Sequence, residues 1–230
     1  MRFCTHCNQL YCPKQRIEAM KAGRAGTKQA AGFTVTELLV TVSCLLLLAA
    51  LLLPAIARSK ARSARVGCNS NMKQVGMAFL TWSMDNQGRF PMRVPVANGG
   101  TMELVGNGTV FPHFQVLSNE LNSPKVLVCP NDEKKSSGTN FAVGFSDNNL
   151  SYFLGVDSAK ENDSSLLSGD RNLTNGPMPG NALLNVTTNL ILGWGKDLHS
   201  GKANVCFGDG SARQVQNGFV NAGTNRLAIP

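Results

Sequence analysis

What the chain lacks narrows its chemistry first. No G-x-S-x-G, H-E-x-x-H or phosphate-binding glycine loop occurs in its 230 residues. The usual frameworks for serine hydrolysis, zinc proteolysis and nucleotide binding are therefore missing, and no enzyme activity is expected. No internal repeat is found. Charge is scarce too, and none interrupts the run from Leu38 to Ala57. Asp147, Asp157, Asp163 and Asp170 fit no calcium-loop spacing, so they read as solvated loop acids, with calcium as the lesser alternative. Cys4, Cys7 and Cys12 give C-x2-C-x4-C around His6, half of a zinc pattern with no second half nearby. No metal site and no cofactor are expected.

The positive balance is unevenly spread. Of the net +8, the segment 1–32 holds +5, from Arg2, Lys14, Arg16, Lys21, Arg24 and Lys28 against Glu18. The remaining +3 is no nucleic-acid footprint, and no nucleic-acid partner is expected. A second basic cluster, Arg58, Lys60, Arg62 and Arg65, follows the apolar run. It reads as a solvated helix face, or as a contact with lipid headgroups. With both flanks basic, charge counting does not orient a membrane segment.

From Phe33 to Ala57 the chain is long enough, at about 37 Å of helix, to span a hydrocarbon core of about 30 Å. Its one charge is Glu37, at the entrance. A carboxylate at the mouth of a membrane helix is costly and needs a partner. A cut after Gly32 would place a new amine on Phe33, one turn from Glu37.

Gly32-Phe33-Thr34-Val35-Thr36-Glu37, preceded by basic residues and followed by the apolar helix, resembles the class III signal of type IV pilins and type II secretion pseudopilins. Val35 stands where that family often has leucine. The resemblance implies cleavage after Gly32 by a prepilin peptidase, N-methylation of Phe33 and a role for Glu37 in processing or assembly. It implies a bacterial inner-membrane protein with a cytoplasmic N-terminus and an extracytoplasmic C-terminal domain. Its partners would be other pilin-like subunits and a secretion or pilus assembly platform. The implied fold is α+β: a long N-terminal helix packed on a small antiparallel β-sheet domain with long loops. The expected divisions are 1–32 leader, 33–57 membrane half of the helix, 58–88 amphipathic half, and 89–230 β-rich domain. Met20 begins a basic leader of ordinary length and is an alternative start to Met1.

The helix should continue beyond the membrane. Cys68, Met72, Val75, Phe79 and Trp82 recur at spacings of three and four, one apolar stripe. Pro54 loosens the first half, and Gly67 and Gly76 weaken the second. Asp85-Asn86-Gln87-Gly88 and Pro91 stop it. Phe111–Leu121 reads as a brief helix with Pro112 in its first turn. Lys125–Cys129, Leu150–Leu154 and Leu190–Gly193 read as strands, and Val156–Asn189 as long loop. Ala203–Phe207 and Ser211–Val215 read as a hairpin about Gly208-Asp209-Gly210.

His199, nine residues, then Asp209-Gly210 resembles the C-terminal His-x9-Asp-Gly pattern of a large set of bacterial pilin-like proteins. Cys68-Asn69-Ser70-Asn71-Met72-Lys73-Gln74, Cys129-Pro130-Asn131-Asp132 and Ser168-Gly169-Asp170-Arg171 resemble the same set. Together the two resemblances cover most of residues 20–217. His199 and Asp209 are expected to bind the hairpin to its preceding loop. Among Cys68, Cys129 and Cys206, a Cys68–Cys129 disulfide is expected, as an oxidising compartment permits. Ala55-Ile56-Ala57 also fits an A-x-A cleavage pattern. The alternative is thus a secreted or membrane-tethered β-rich binding domain with an ordinary signal peptide or uncleaved anchor.

Overall fold

The computed structural model describes residues 32–162, 164–174, 183–187, 191–216, 218–219 and 225–230. The basic leader with Cys4, His6, Cys7, Cys12 and Met20, and also Asp163, lie outside the described residues. The chain divides into two compact units, Met1–Ala49 and Ala50–Pro230, within its first helix.

That helix, α1, runs Val35–Asp85. Its Leu38–Ile56 stretch leaves its leucines, valines and isoleucine bare. By length and composition it can cross a membrane. The end is closed by Asn86–Gly88. Gly88 N–H donates to the Ser83 carbonyl (2.8 Å) while Gln87 takes a left-handed conformation, φ 59°. This 6→1 bond is a Schellman closure, and it falls where the turn residues predict the stop.

In the second unit the predicted stripe is buried: Cys68, Met72, Val75, Phe79 and Trp82 all enter the core. Among the described residues eight strands follow: β1 Tyr152–Gly155, β2 Leu166–Asp170, β3 Leu183–Val186, β4 Ile191–Leu192, β5 Lys202–Phe207, β6 Ala212–Gln216, β7 Gly218–Phe219 and β8 Asn225–Ala228. Six form one antiparallel sheet in the order β3-β8-β1-β2-β5-β6, and β4 pairs with β7. The described residues also hold three short α-helices, α2 Phe111–Gln115, α3 Ser118–Leu121 and α4 Lys196–His199, and several 3-10 turns. This is the expected α+β class, compatible with a pilin-like architecture.

The strands β1, β2 and β5 are buried on both faces, whereas the edge strand β6 is mostly exposed. Tyr152, Leu154, Leu167 and Cys206 share a core with the α1 stripe and with Phe90, Phe114 and Leu117. Their neighbours in sequence, Phe153, Leu166, Val205 and Phe207, enter a second core with Trp194 and Leu227. Strand alternation alone produces this division.

Two expectations fail for identifiable reasons. Lys125–Cys129 is not a strand. Pro124 at the first position and the Ser123 hydroxyl, which accepts from Lys125 N–H, turn Pro124–Leu127 into a 3-10 helix. The segment 156–189 is not all loop, because β2 and β3 lie within it. Ser168 and Gly169 in β2 look like turn residues. Yet the Ser168 hydroxyl donates to the Phe153 carbonyl (2.8 Å), and a Cβ on Gly169 would stand 2.7 Å from the Phe153 ring. Gly169 is there because the ring lies flush against the strand.

Candidate functional site

Two places carry chemistry. The first is the start of α1. Gly32 and Phe33 are exposed and precede the helix. Thr34 caps it, since its carbonyl accepts from Leu38 N–H at 3.1 Å. The Glu37 carboxylate accepts from Thr34 N–H (2.9 Å) and from the Thr34 hydroxyl (2.8 Å), and Glu37 N–H donates back to that hydroxyl (3.3 Å). Thr34-Val35-Thr36-Glu37 is thus a capping box, a local reason for an acid at this point that the sequence reading did not give.

The second is buried in the Ala50–Pro230 unit. Cys68 from α1, Cys129 from the segment after α3, Asp170 from the end of β2 and His199 from α4 turn their side chains to one point. One ligand-capable atom from each lies within 4.8 Å of all the others. Cys68 Sγ donates to Asp170 Oδ1 (3.3 Å) and lies 3.6 Å from the Tyr152 hydroxyl. Cys129 Sγ is 3.4 Å from His199 Nε2, and that nitrogen is 3.5 Å from Asp170 Oδ2. All four residues are sealed from solvent. His199 Nδ1 has no partner among the described residues.

The electrostatics follow from this crowding. The hydrogen bond from Cys68, with a lesser contribution from His199, holds Cys129 down to about 5, although burial resists. Cys68 is raised, by its bond to Cys129 and by burial. Burial pushes Asp170 up to about 7, against the pull of His199. Burial opposes charge on His199, yet the Cys129 bond and Asp170 keep it above its ordinary value. The other buried histidine is different. His113 shares a 2.7 Å bond with the Thr101 hydroxyl, and burial takes it down to about 4, an ordinary neutral core imidazole.

A scaffold of charged and polar contacts holds the cluster's segments together. Arg171 grips Asp132 with two bonds, 2.8 and 2.7 Å, and the Ser151 hydroxyl donates to Asp132 at 2.8 Å. Asn131 donates to the Leu198 carbonyl (2.9 Å), tying the Cys129 segment to α4. Asn204 N–H donates to Asp170 Oδ2 (2.7 Å), fixing the carboxylate from β5.

The structure revises several predicted site residues. His199 does not bind Asp209; its partners are Asp170 and Cys129. Asp209 is exposed and accepts from Ser211 N–H (2.8 Å), shaping the β5–β6 turn. Gly210 takes φ +78° in that turn. Cys68 and Cys129 do meet, but as free thiols rather than as a disulfide. The acids weighed for calcium are separated by their duties. Asp147 accepts from Val110 and Phe111 N–H, Asp157 chelates Arg226, and Asp170 belongs to the thiol cluster. Sequence reading treated Cys68, Cys129, Asp170 and His199 as four separate motifs. Each motif contributes one residue to one point, a meeting that only the fold brings about. No family model, curated protein or solved structure matches the chain.

Proposed function

We propose that this protein is a pilin-like structural subunit. Prepilin peptidase cuts it after Gly32 and methylates Phe33, and it then joins a type II secretion pseudopilus or a type IV pilus-like filament. The observation that carries the reading is position: Gly32-Phe33 stands immediately before a capped helix whose first half offers only bare apolar surface. Such a surface is stable in lipid or against neighbouring helices, not in water. In this reading the inner membrane holds the subunit before assembly, and an assembly platform and other pilin-like subunits are its partners. In this reading the chain beyond Ala57 lies on the extracytoplasmic side.

Terminal-peptide mass analysis of protein taken from native membranes tests it. The expected terminus is N-methylated Phe33. Gly32→Val should leave the precursor uncut, because a bulky side chain before the scissile bond obstructs the peptidase. A terminus at Arg58, or normal processing of Gly32→Val, overturns the assignment.

A further inference from the structure

We infer that Cys68, Cys129, Asp170 and His199 form a closed tetrahedral site for a zinc-class divalent cation. The inference is independent of filament assembly and of how the N-terminus is processed.

Geometry carries it. A tetrahedral ion with metal–sulfur bonds of about 2.3 Å and metal–nitrogen or metal–oxygen bonds of about 2.0–2.2 Å sets its ligand atoms roughly 3.3–3.8 Å apart. The separations of Cys68 Sγ from Asp170 Oδ1, Cys129 Sγ from His199 Nε2, and His199 Nε2 from Asp170 Oδ2 are 3.3, 3.4 and 3.5 Å. Whichever Asp170 oxygen serves as the ligand, two of these separations are edges of such a tetrahedron, and one ligand atom from each residue lies within 4.8 Å of all the others. No element has to move far to receive an ion.

The donor set selects the ion. Two sulfurs, one imidazole and one carboxylate suit zinc and its close relatives, whereas calcium and magnesium favour all-oxygen shells. Four protein ligands fill a tetrahedron, so no position is left for water or substrate. The site is therefore structural. Binding releases the thiol protons and any proton on Asp170 or on His199 Nε2. Two thiolates and a carboxylate around a dication leave one negative charge, and the Arg65 guanidinium lies close enough to act on His199 and oppose it. Asn204 N–H already orients the carboxylate, as outer partners of metal ligands do.

The bare cluster is otherwise hard to justify. Four ionisable groups buried in contact suffer desolvation, and negative charge on Cys129 and on Asp170 is mutually opposed. A cation at their centre satisfies all four at once. It also ties α1, the Cys129 segment, β2 and α4 to one atom.

The test uses the full chain in detergent, with Cys4, Cys7 and Cys12 changed to Ser so that leader thiols cannot compete. Reduced protein is titrated with Co2+ and then with Zn2+. One equivalent of Co2+ should give tetrahedral d–d bands and a thiolate charge-transfer band, both erased by Zn2+. Cys206→Ser should leave the spectrum unchanged. Cys68→Ser and Cys129→Ser should each remove about half of the charge-transfer intensity. Asp170→Asn should keep that band but weaken affinity by at least about tenfold. Zn2+ should raise the unfolding midpoint of the parent chain. Reduced protein that yields no charge-transfer band overturns the site. So does a band that survives loss of both Cys68 and Cys129.

Discussion

Gly76 and Gly210 meet with no side chain between them. A Cβ on Gly76 would stand 2.9 Å from the Gly210 carbonyl oxygen and 2.5 Å from Cys206 Sγ. A Cβ on Gly210, itself at φ +78°, would stand 2.4 Å from Leu80 Cδ1. The Asp209-Gly210 turn therefore rests directly on α1. The glycine that weakens the helix by propensity is the one that lets the hairpin approach.

Gly76→Ala should destabilise the domain by about 1–3 kcal/mol, the usual range for overpacking a tight contact. The gain in helix propensity, roughly 1 kcal/mol, does not offset this. Adding Cys206→Ala should recover only part, because the Gly210 carbonyl is backbone and cannot withdraw. Urea titration of a chain beginning at Arg58, followed by Trp82 fluorescence, reads both effects. A Gly76→Ala chain as stable as its parent would show the contact to be loose.

Glu37 has two claims on it, and one substitution separates them. As a cap it needs an acceptor for Thr34 N–H, which glutamine supplies. As an assembly residue it needs a charge to meet the Phe33 amine of a neighbouring subunit, which glutamine lacks. A close ion pair offsets much of the cost of burying either charge in lipid. Glu37→Gln and Glu37→Ala should both be cut after Gly32 and both stay out of sheared filaments. Thr34→Ala should weaken the helix start by about 1 kcal/mol yet still assemble. Efficient incorporation of Glu37→Gln would leave capping as the whole role of the acid.

Asp132 and Arg171 set an acid limit on stability. Burial resists the charge on Asp132, but the bonds from Arg171 and Ser151 hold its pKa below the ordinary 3.8. The unfolded chain thus takes up this proton at a higher pH than the folded one. The pair's contribution is present above the ordinary carboxylate range and is lost as pH falls through the depressed folded value. Asp132→Asn should flatten that acid limb. At neutral pH it should cost about 3 kcal/mol, the low end for a buried pair broken on one side, because Arg171 keeps some contact with water. Unfolding titrations from about pH 7 to about pH 3 measure both changes. An unaltered slope would assign the acid limb to another carboxylate.

Legibility in the sequence followed the range of the interaction. The α1 stripe was readable because five apolar residues keep helical spacing, and the β5–β6 hairpin because Asp209-Gly210 interrupts two alternating runs. Strand β2 was hidden, since Ser168 and Gly169 are dictated by the Phe153 backbone and ring above them. The His-x9-Asp-Gly spacing points from His199 to Asp209. The actual partner of His199 arrives through the β2–β5 pairing, which sets Gly169 against Val205 and brings Asp170 beside Asn204 and the end of α4. No periodicity encodes that meeting. The capping box, by contrast, spans only Thr34 to Glu37 and was available from sequence alone.

The strand order has a consequence for how the protein is made. β8, residues 225–228, sits between β1 and β3 and pairs with both. Asn225 reaches on to the Leu166 carbonyl (2.7 Å) and accepts from Asp157 N–H (3.1 Å). Until that segment has left the ribosome, β1 has one open edge and β3 has no neighbour in the sheet. The central strand is thus covered only after some 140 residues beyond α1 have been translated. A chain in that waiting state shows unpaired backbone and two unfinished apolar faces.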